Sequence, residues 1–223
     1  MLQLLRETGE IYQGQFGEFT IDRDDRLGVL IYRSSLAIAA LCFGLATLLV
    51  VTGQGEDWGW GTIAGLYALF CGALGISLLT IHIYLKTLHL TLQLFWAVGT
   101  LASLAIALRS SLPLPLTVYQ FPLTLLGIGF VFAALTGIYF KEAFCFNRLE
   151  TKLLTPLVPL LLLGHLFGWL PLSLEQPLLA LWAALFAIFA LRKTWQPIPA
   201  DIGDKSVFAY LQQRRTEQSN ILP

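Results

Sequence analysis

The sequence predicts an all-α membrane protein, a bundle of six transmembrane helices with both termini in the cytoplasm (N-in/C-in). The first observation is composition: the 223 residues are 56% hydrophobic and 13% charged, with a mean hydropathy of +0.70. Soluble domains carry about 25% charged residues. The second observation is that long apolar runs alternate with short polar segments. The net charge is zero and no basic run stands out, so we expect no nucleic-acid partner.

The chain divides into three parts. Residues 1–28 are polar and acidic and predict a cytoplasmic N-terminal arm, with a small hairpin or extended strand at residues 11–21. Residues 29–193 form the six-helix transmembrane domain. Residues 194–223 form a cytoplasmic tail, in which residues 204–215 predict a short amphipathic helix with an acidic start and a basic end.

The first three spans are predicted at about residues 30–52, 62–84 and 88–108. Small residues such as Gly44 and Gly65 allow close helix contact in the first two. The loop between these spans is rich in glycine, and its Trp58 and Trp60 suit the headgroup region. The link between the second and third spans, residues 85–87, is very short.

The last three spans are predicted at about residues 118–140, 153–170 and 172–191. A turn with Pro113 and Pro115 precedes the fourth span, and Pro122 falls in the first turns of that span, where a missing N–H costs least. Pro156 and Pro159 lie near the start of the fifth span. A proline-bounded turn, residues 171–177, separates the last two.

The basic residues set the orientation. Thirteen of the 14 Lys and Arg residues fall in the terminal segments and loops of one side, and Arg109 alone falls on the other. Because Lys and Arg mark the cytoplasmic side of short loops, this alternation supports both the count of six and the N-in/C-in orientation.

Residues 136–152, which include the linker between the fourth and fifth spans, are the densest run of ionisable and reactive side chains between residues 30 and 190. Lys141, Asn147, Arg148 and Glu150 make this linker a candidate interaction segment. The alternative is that the linker is not an interaction segment and that Glu150 forms an ordinary ion pair with Arg148 or Lys152.

Four residues near the same side are of metal-ligand type: His82, His89, Glu142 and Cys145. If the chain stayed helical from His82 to His89, both rings would share one face. If the fourth helix continued past its predicted end, Glu142 and Cys145 would share a face of that helix. The alternative is that these are hydrated residues at helix ends. No known catalytic motif accompanies them, so the cofactor is left unknown.

His165 stands inside the fifth predicted span. An ionisable residue in a span suggests function, such as ligation of a pigment or a proton relay. Alternatively the ring is neutral and hydrogen-bonded to a neighbouring helix, with Gln93 and Gln120 as candidate partners. We expect Glu175 to be a solvated turn residue or a helix cap.

Three segments carry a resemblance to a known family. Residues 137–159 with Gly164-His165, residues 12–19 and residues 199–208 resemble the uncharacterised integral membrane family DUF2301. The family is mainly cyanobacterial, so the resemblance implies a plasma or thylakoid membrane. It supplies no assigned activity and no catalytic residues.

Three functional hypotheses follow. The first is a non-enzymatic membrane protein that binds pigments or partner proteins, for example subunits of a membrane complex that it helps to assemble. The second is a small-solute transporter or channel, which needs a polar path. The third is a metal or redox enzyme, which needs the four metal-ligand residues within about 5 Å of one another.

Overall fold

The computed structural model describes residues 10–54 and 59–221. Within these residues, six helices are long and apolar enough to cross a membrane, as the sequence predicts. They are α1 (Arg23–Val51), α2 (Trp60–Thr80), α3 (Lys86–Arg109), α5 (Leu125–Phe146), α6 (Leu149–Leu166) and α7 (Leu172–Trp195).

Shorter elements lie at both ends of the bundle. The hairpin side carries an antiparallel hairpin, β1 (Ile11–Gly14) and β2 (Gly17–Thr20), together with α8 (Ile198–Ile202) and α9 (Ser206–Ile221). The opposite end, called the distal side, carries α4 (Leu114–Gln120) and a 3₁₀ turn at Pro122–Thr124. The described ends of the chain therefore share one side, while the side that faces the cytoplasm stays a prediction.

Large aromatic side chains fill the centre of the bundle. Trp182, Phe186 and Phe189 of α7 are almost fully buried and pack on α1 and α5. The Trp182 indole N–H donates to the Tyr139 hydroxyl at 3.3 Å, so its polar edge is satisfied inside the core. These contacts hold α7 against α1 and α5, with the C-terminal end of α7 on the hairpin side.

The first helix begins seven residues before the predicted span. Asp22 caps the helix by accepting from the Asp25 backbone N–H at 2.9 Å, and the Asp25 carboxylate accepts from the Asp22 N–H at 3.1 Å. This reciprocal pair satisfies two otherwise unpaired N–H groups. The last residues of the predicted N-terminal arm are therefore the first turn of α1.

The fourth predicted span is broken at Pro122. Phe121, directly before it, has φ −125° and ψ 77°, outside the helical region. A residue before proline disfavours the helical conformation, so the segment splits into α4, the 3₁₀ turn and α5. In turn α5 continues to Phe146, six residues beyond the predicted end at 140.

Two further boundaries differ from the prediction. Helix α2 ends at Thr80, four residues early, and Ile81 is extended (ψ 136°) because its side chain and that of Ile83 enter the core. Helix α6 covers residues 149–166, about four residues earlier than predicted.

The two ends of the chain pack on each other. Asp204 accepts from the Gln15 N–H at 2.7 Å, and Phe16 stacks on Tyr210 with ring centroids 4.0 Å apart. Ile21 and Val29 form a small second core with Ile198 and Ile202 of α8. The tail helix is longer than predicted, and its half-buried Phe208 and Tyr210 rest on Tyr84 and the hairpin.

Candidate functional site: a buried charge cluster and an apolar cavity

Lys193, in the last turn of α7, is the centre of a buried charge cluster on the hairpin side. Its ammonium lies 2.7 Å from Glu142 Oε2 on α5 and also contacts Asp201 Oδ1 on α8. The three side chains are 1%, 0% and 2% exposed. Long-range contacts between three separate helices thus create the pairing.

Helix α1 contributes a second cation and a hydroxyl. Arg33 binds Asp201 Oδ2 through Nε at 2.8 Å and through Nη2 at 2.6 Å. The Tyr32 hydroxyl donates to Glu142 Oε1 at 3.3 Å, and Lys141 reaches the same oxygen at 2.9 Å. The cluster of Arg33, Lys141, Glu142, Lys193 and Asp201 therefore sets three cations against two carboxylates.

Polar and aromatic neighbours complete the cluster. Gln196 donates to Asp201 Oδ1 at 2.9 Å and accepts from Arg148 Nη2 at 2.5 Å. The Phe146 ring faces the Lys193 ammonium at 4.6 Å from its centroid and the Lys141 ammonium at 5.4 Å. Cation–π contact compensates part of the positive excess.

Asp201 of α8 and Glu142 of α5 each contact groups from α1 and α7, so the cluster links four helices. Removing one partner of a buried ion pair leaves an uncompensated charge and costs about 3–5 kcal/mol. The arrangement therefore connects the hairpin side to the membrane helices. Buried ionisable groups in membrane proteins are also candidates for functional sites.

The predicted interaction linker is largely helical and folded onto α7. Only Asn147 and Arg148 separate α5 from α6, and Asn147 ends α5 in the left-handed conformation (φ 53°). Glu150 is buried and binds Arg192 at 3.1 Å instead of Arg148 or Lys152. Lys141 and Glu142 lie inside the charge cluster, while Asn147 is exposed.

The structure does not bring the four metal-ligand candidates together. Within residues 10–54 and 59–221, no group of three or more His, Cys, Asp and Glu side chains is arranged to hold a metal ion. His82 lies in the extended link and His89 on α3, where its Nε2 lies 2.6 Å from the Leu78 carbonyl oxygen. Cys145 is exposed, and Glu142 is engaged by two lysines. The helix that would have aligned the two histidines stops at Thr80.

His82 is nevertheless partly buried. The ring packs against Gly28 of α1, where an added Cβ would lie 3.6 Å from Cε1. Partial burial lowers the pKa of His82, and this outweighs the opposing attraction of Asp25. The neutral ring is therefore the favoured form in the folded protein.

His165 lies in the last turn of α6, on the distal side, and not deep within a span. Its Nδ1 is 2.9 Å from Glu175 Oε1, and its ring stacks on Tyr119 of α4. The partner is thus Glu175 and not Gln93 or Gln120: Gln93 lies beside His89, and Gln120 is exposed. Glu175, which we expected to be a solvated turn residue or a helix cap, pairs with His165, and its side chain is 15% exposed.

An apolar cavity occupies the distal half of the bundle. Its volume is about 250 Å³, and it lies between α1, α2, α4, α5 and the start of α7. Aromatic side chains form much of its wall: Phe43, Tyr67, Phe70 and Phe132, whose ring centroids lie 5.8–6.5 Å from their neighbours. Leu114, Pro115 and Val118 of α4 line it as well.

Sequence reasoning missed both the partners of the cluster and the cavity. Lys193 and Asp201 were not among the candidate site residues, and only the fold shows that they are buried. One signal was present: Lys141-Glu142 and Arg192-Lys193 lie at the cluster ends of α5 and α7, where long charged chains can fold inward. The aromatic residues of the cavity gave no comparable signal, because such residues are common in any membrane core.

Together, these features define a multi-pass α-helical membrane protein with a buried charge cluster on its hairpin side. A family model for an uncharacterized integral membrane protein family, DUF2301, matches residues 76–210, more than half of the chain. The chain belongs to this family. The matched region contains Glu142, Lys193, Asp201 and His165. Searches of curated proteins and of solved structures give no significant match.

Proposed function

We propose that this protein is a non-enzymatic membrane protein that binds a lipid-soluble ring compound, such as a pigment, in the apolar cavity. The observation that carries the proposal is the partly open apolar cavity of about 250 Å³ with aromatic walls, formed between five helices of the bundle. An apolar cavity of about 150 Å³ is already large enough to bind benzene. Because the surrounding phase is lipid, a lipid-soluble molecule is the natural occupant.

The chemistry of the walls decides between classes of occupant. Phe43, Phe70 and Phe132 line the cavity and pack against one another, and an aromatic wall favours flat conjugated molecules over hydrated ones. A hydrophilic solute would lose its water in this cavity and gain few hydrogen bonds in return. Ligand binding therefore agrees with the geometry better than transport of a polar solute.

The experiment uses the full chain, purified in mild detergent from the membranes in which it is expressed. Bound small molecules are extracted and measured by absorption spectroscopy and mass spectrometry. Ala46→Phe fills the cavity from α1, while Ala105→Phe makes the same change on the exposed surface of α3. We expect a ring compound in the wild type and in Ala105→Phe, and its loss from Ala46→Phe.

The proposal fails if wild type and Ala46→Phe carry the same small molecules in the same amounts. The same preparation also tests the prediction of partner subunits, because a stable complex would be recovered in stoichiometric amounts. Recovery of one such complex would add an assembly role to the binding role.

A further inference from the structure

One hydroxyl in the cavity wall has no protein partner. Thr47 of α1 lines the cavity and is 6% exposed. Among the residues that the structure describes, no group lies within hydrogen-bond distance of its hydroxyl in suitable geometry. The oxygen of this hydroxyl is not fully enclosed by protein atoms and is open to the cavity, where an apolar wall offers it no hydrogen bond; this points to a polar group that the occupant supplies.

Thr100 of α3 also has a buried hydroxyl without a hydrogen-bond partner among the described residues, but it does not line the cavity. Five other threonines bond to the backbone of the helical turn before them. Thr52, Thr80, Thr91, Thr136 and Thr155 each donate to the carbonyl four residues earlier, at 2.7–2.9 Å. That bond satisfies a hydroxyl inside an apolar helix and is the ordinary solution. The hydroxyl of Thr47 does not make it, so its donor remains available to the cavity.

The second hydroxyl of the cavity has its proton already committed. Tyr67 lies 2.8 Å from Ser103 Oγ, and Ser103 in turn donates to the Gly99 carbonyl at 2.7 Å. Because the Ser103 proton is used on Gly99, Tyr67 must be the donor in the bond between them. Thr47 is therefore the side chain of this wall that has a free hydroxyl proton.

We infer that the occupant of the cavity carries an oxygen, a carbonyl or hydroxyl on its ring, that hydrogen-bonds to Thr47. This rests on the proposed function and narrows its ligand class from ring hydrocarbons to oxygenated rings. The aromatic walls hold the ring, and the single hydrogen bond fixes which end of the molecule points to α1.

The test compares two probes of nearly equal shape, 2-naphthol and 2-methylnaphthalene. Binding to the full chain in lipid nanodiscs is measured by equilibrium dialysis, with empty nanodiscs subtracted. Thr47→Val removes the hydroxyl and keeps the shape, while Thr47→Ser keeps the hydroxyl. One neutral hydrogen bond corresponds to about a 2- to 12-fold change in affinity.

We expect Thr47→Val to lower the affinity for 2-naphthol by that factor and to leave the affinity for 2-methylnaphthalene unchanged. Thr47→Ser should retain the preference for 2-naphthol. If Thr47→Val changes both probes equally, or neither, the inference is overturned while the binding function stands. If the wild type binds neither probe, the cavity does not accept rings, and the proposed function fails together with the inference.

Discussion

Replacing Glu142 by glutamine tests whether the charge cluster stabilises the fold. Glu142 is 0% exposed and touches Lys193 at 2.7 Å and Lys141 at 2.9 Å. Without its charge, three buried cations face Asp201 alone. Loss of one partner of a buried pair costs about 3–5 kcal/mol. For a protein of this size, that lowers the midpoint of thermal unfolding by roughly 6–20 °C.

The assay is thermal unfolding of the protein in nanodiscs, with Glu18→Gln as the matched control. Glu18 lies exposed on the hairpin, so its change should shift the midpoint by less than about 2 °C. Glu142→Gln combined with Lys193→Met should cost less than the sum of the two single changes, because the double variant removes both charges of the Glu142–Lys193 contact at once. If Glu142→Gln unfolds at the same temperature as Glu18→Gln, the cluster does not stabilise the fold.

Two further predictions concern helix contact and pH. Gly99→Ala should destabilise the bundle by several kcal/mol, because the new Cβ would lie 2.4 Å from the Val131 nitrogen. Gly129→Ala is the control, because its Cβ would meet open space and the change should be neutral or stabilising. The two variants are compared by their midpoints of thermal unfolding. His82 has a lowered pKa in the folded state, so its contribution is complete above about pH 6.5 and declines as the pH falls below that value. The wild type should thus lose more stability between pH 7.5 and 5 than His82→Gln; equal losses would contradict this account.

The long-range features of the fold were predictable where composition decides them. Six apolar runs of spanning length are visible in the sequence because the bilayer requires them. The helix ends differ from the predicted span ends where a local interaction competes with hydropathy. The Asp22–Asp25 pair extends α1 into polar sequence, and Pro122 breaks an apolar run that otherwise reads as one helix.

The site was less predictable, because it depends on which helices become neighbours. Lys193 and Asp201 are eight residues apart, yet they meet only because α8 folds back beneath α7, and Glu142 reaches them from α5. His165 was identified as unusual, but its partner Glu175 was assigned to solvent, since a sequence does not show that α6 and α7 close around their connection. Similarly, the unpartnered Thr47 is distinguishable from other threonines only by its contacts.

The most direct test of the central claim is a crystal structure of the wild-type protein grown from a lipidic phase after mild purification. We expect density for a flat ring against the wall formed by Phe43, Phe70 and Phe132, with one oxygen within hydrogen-bond distance of Thr47. A cavity closed by its own side chains, with the Thr47 hydroxyl bonded to the Phe43 carbonyl, would contradict it.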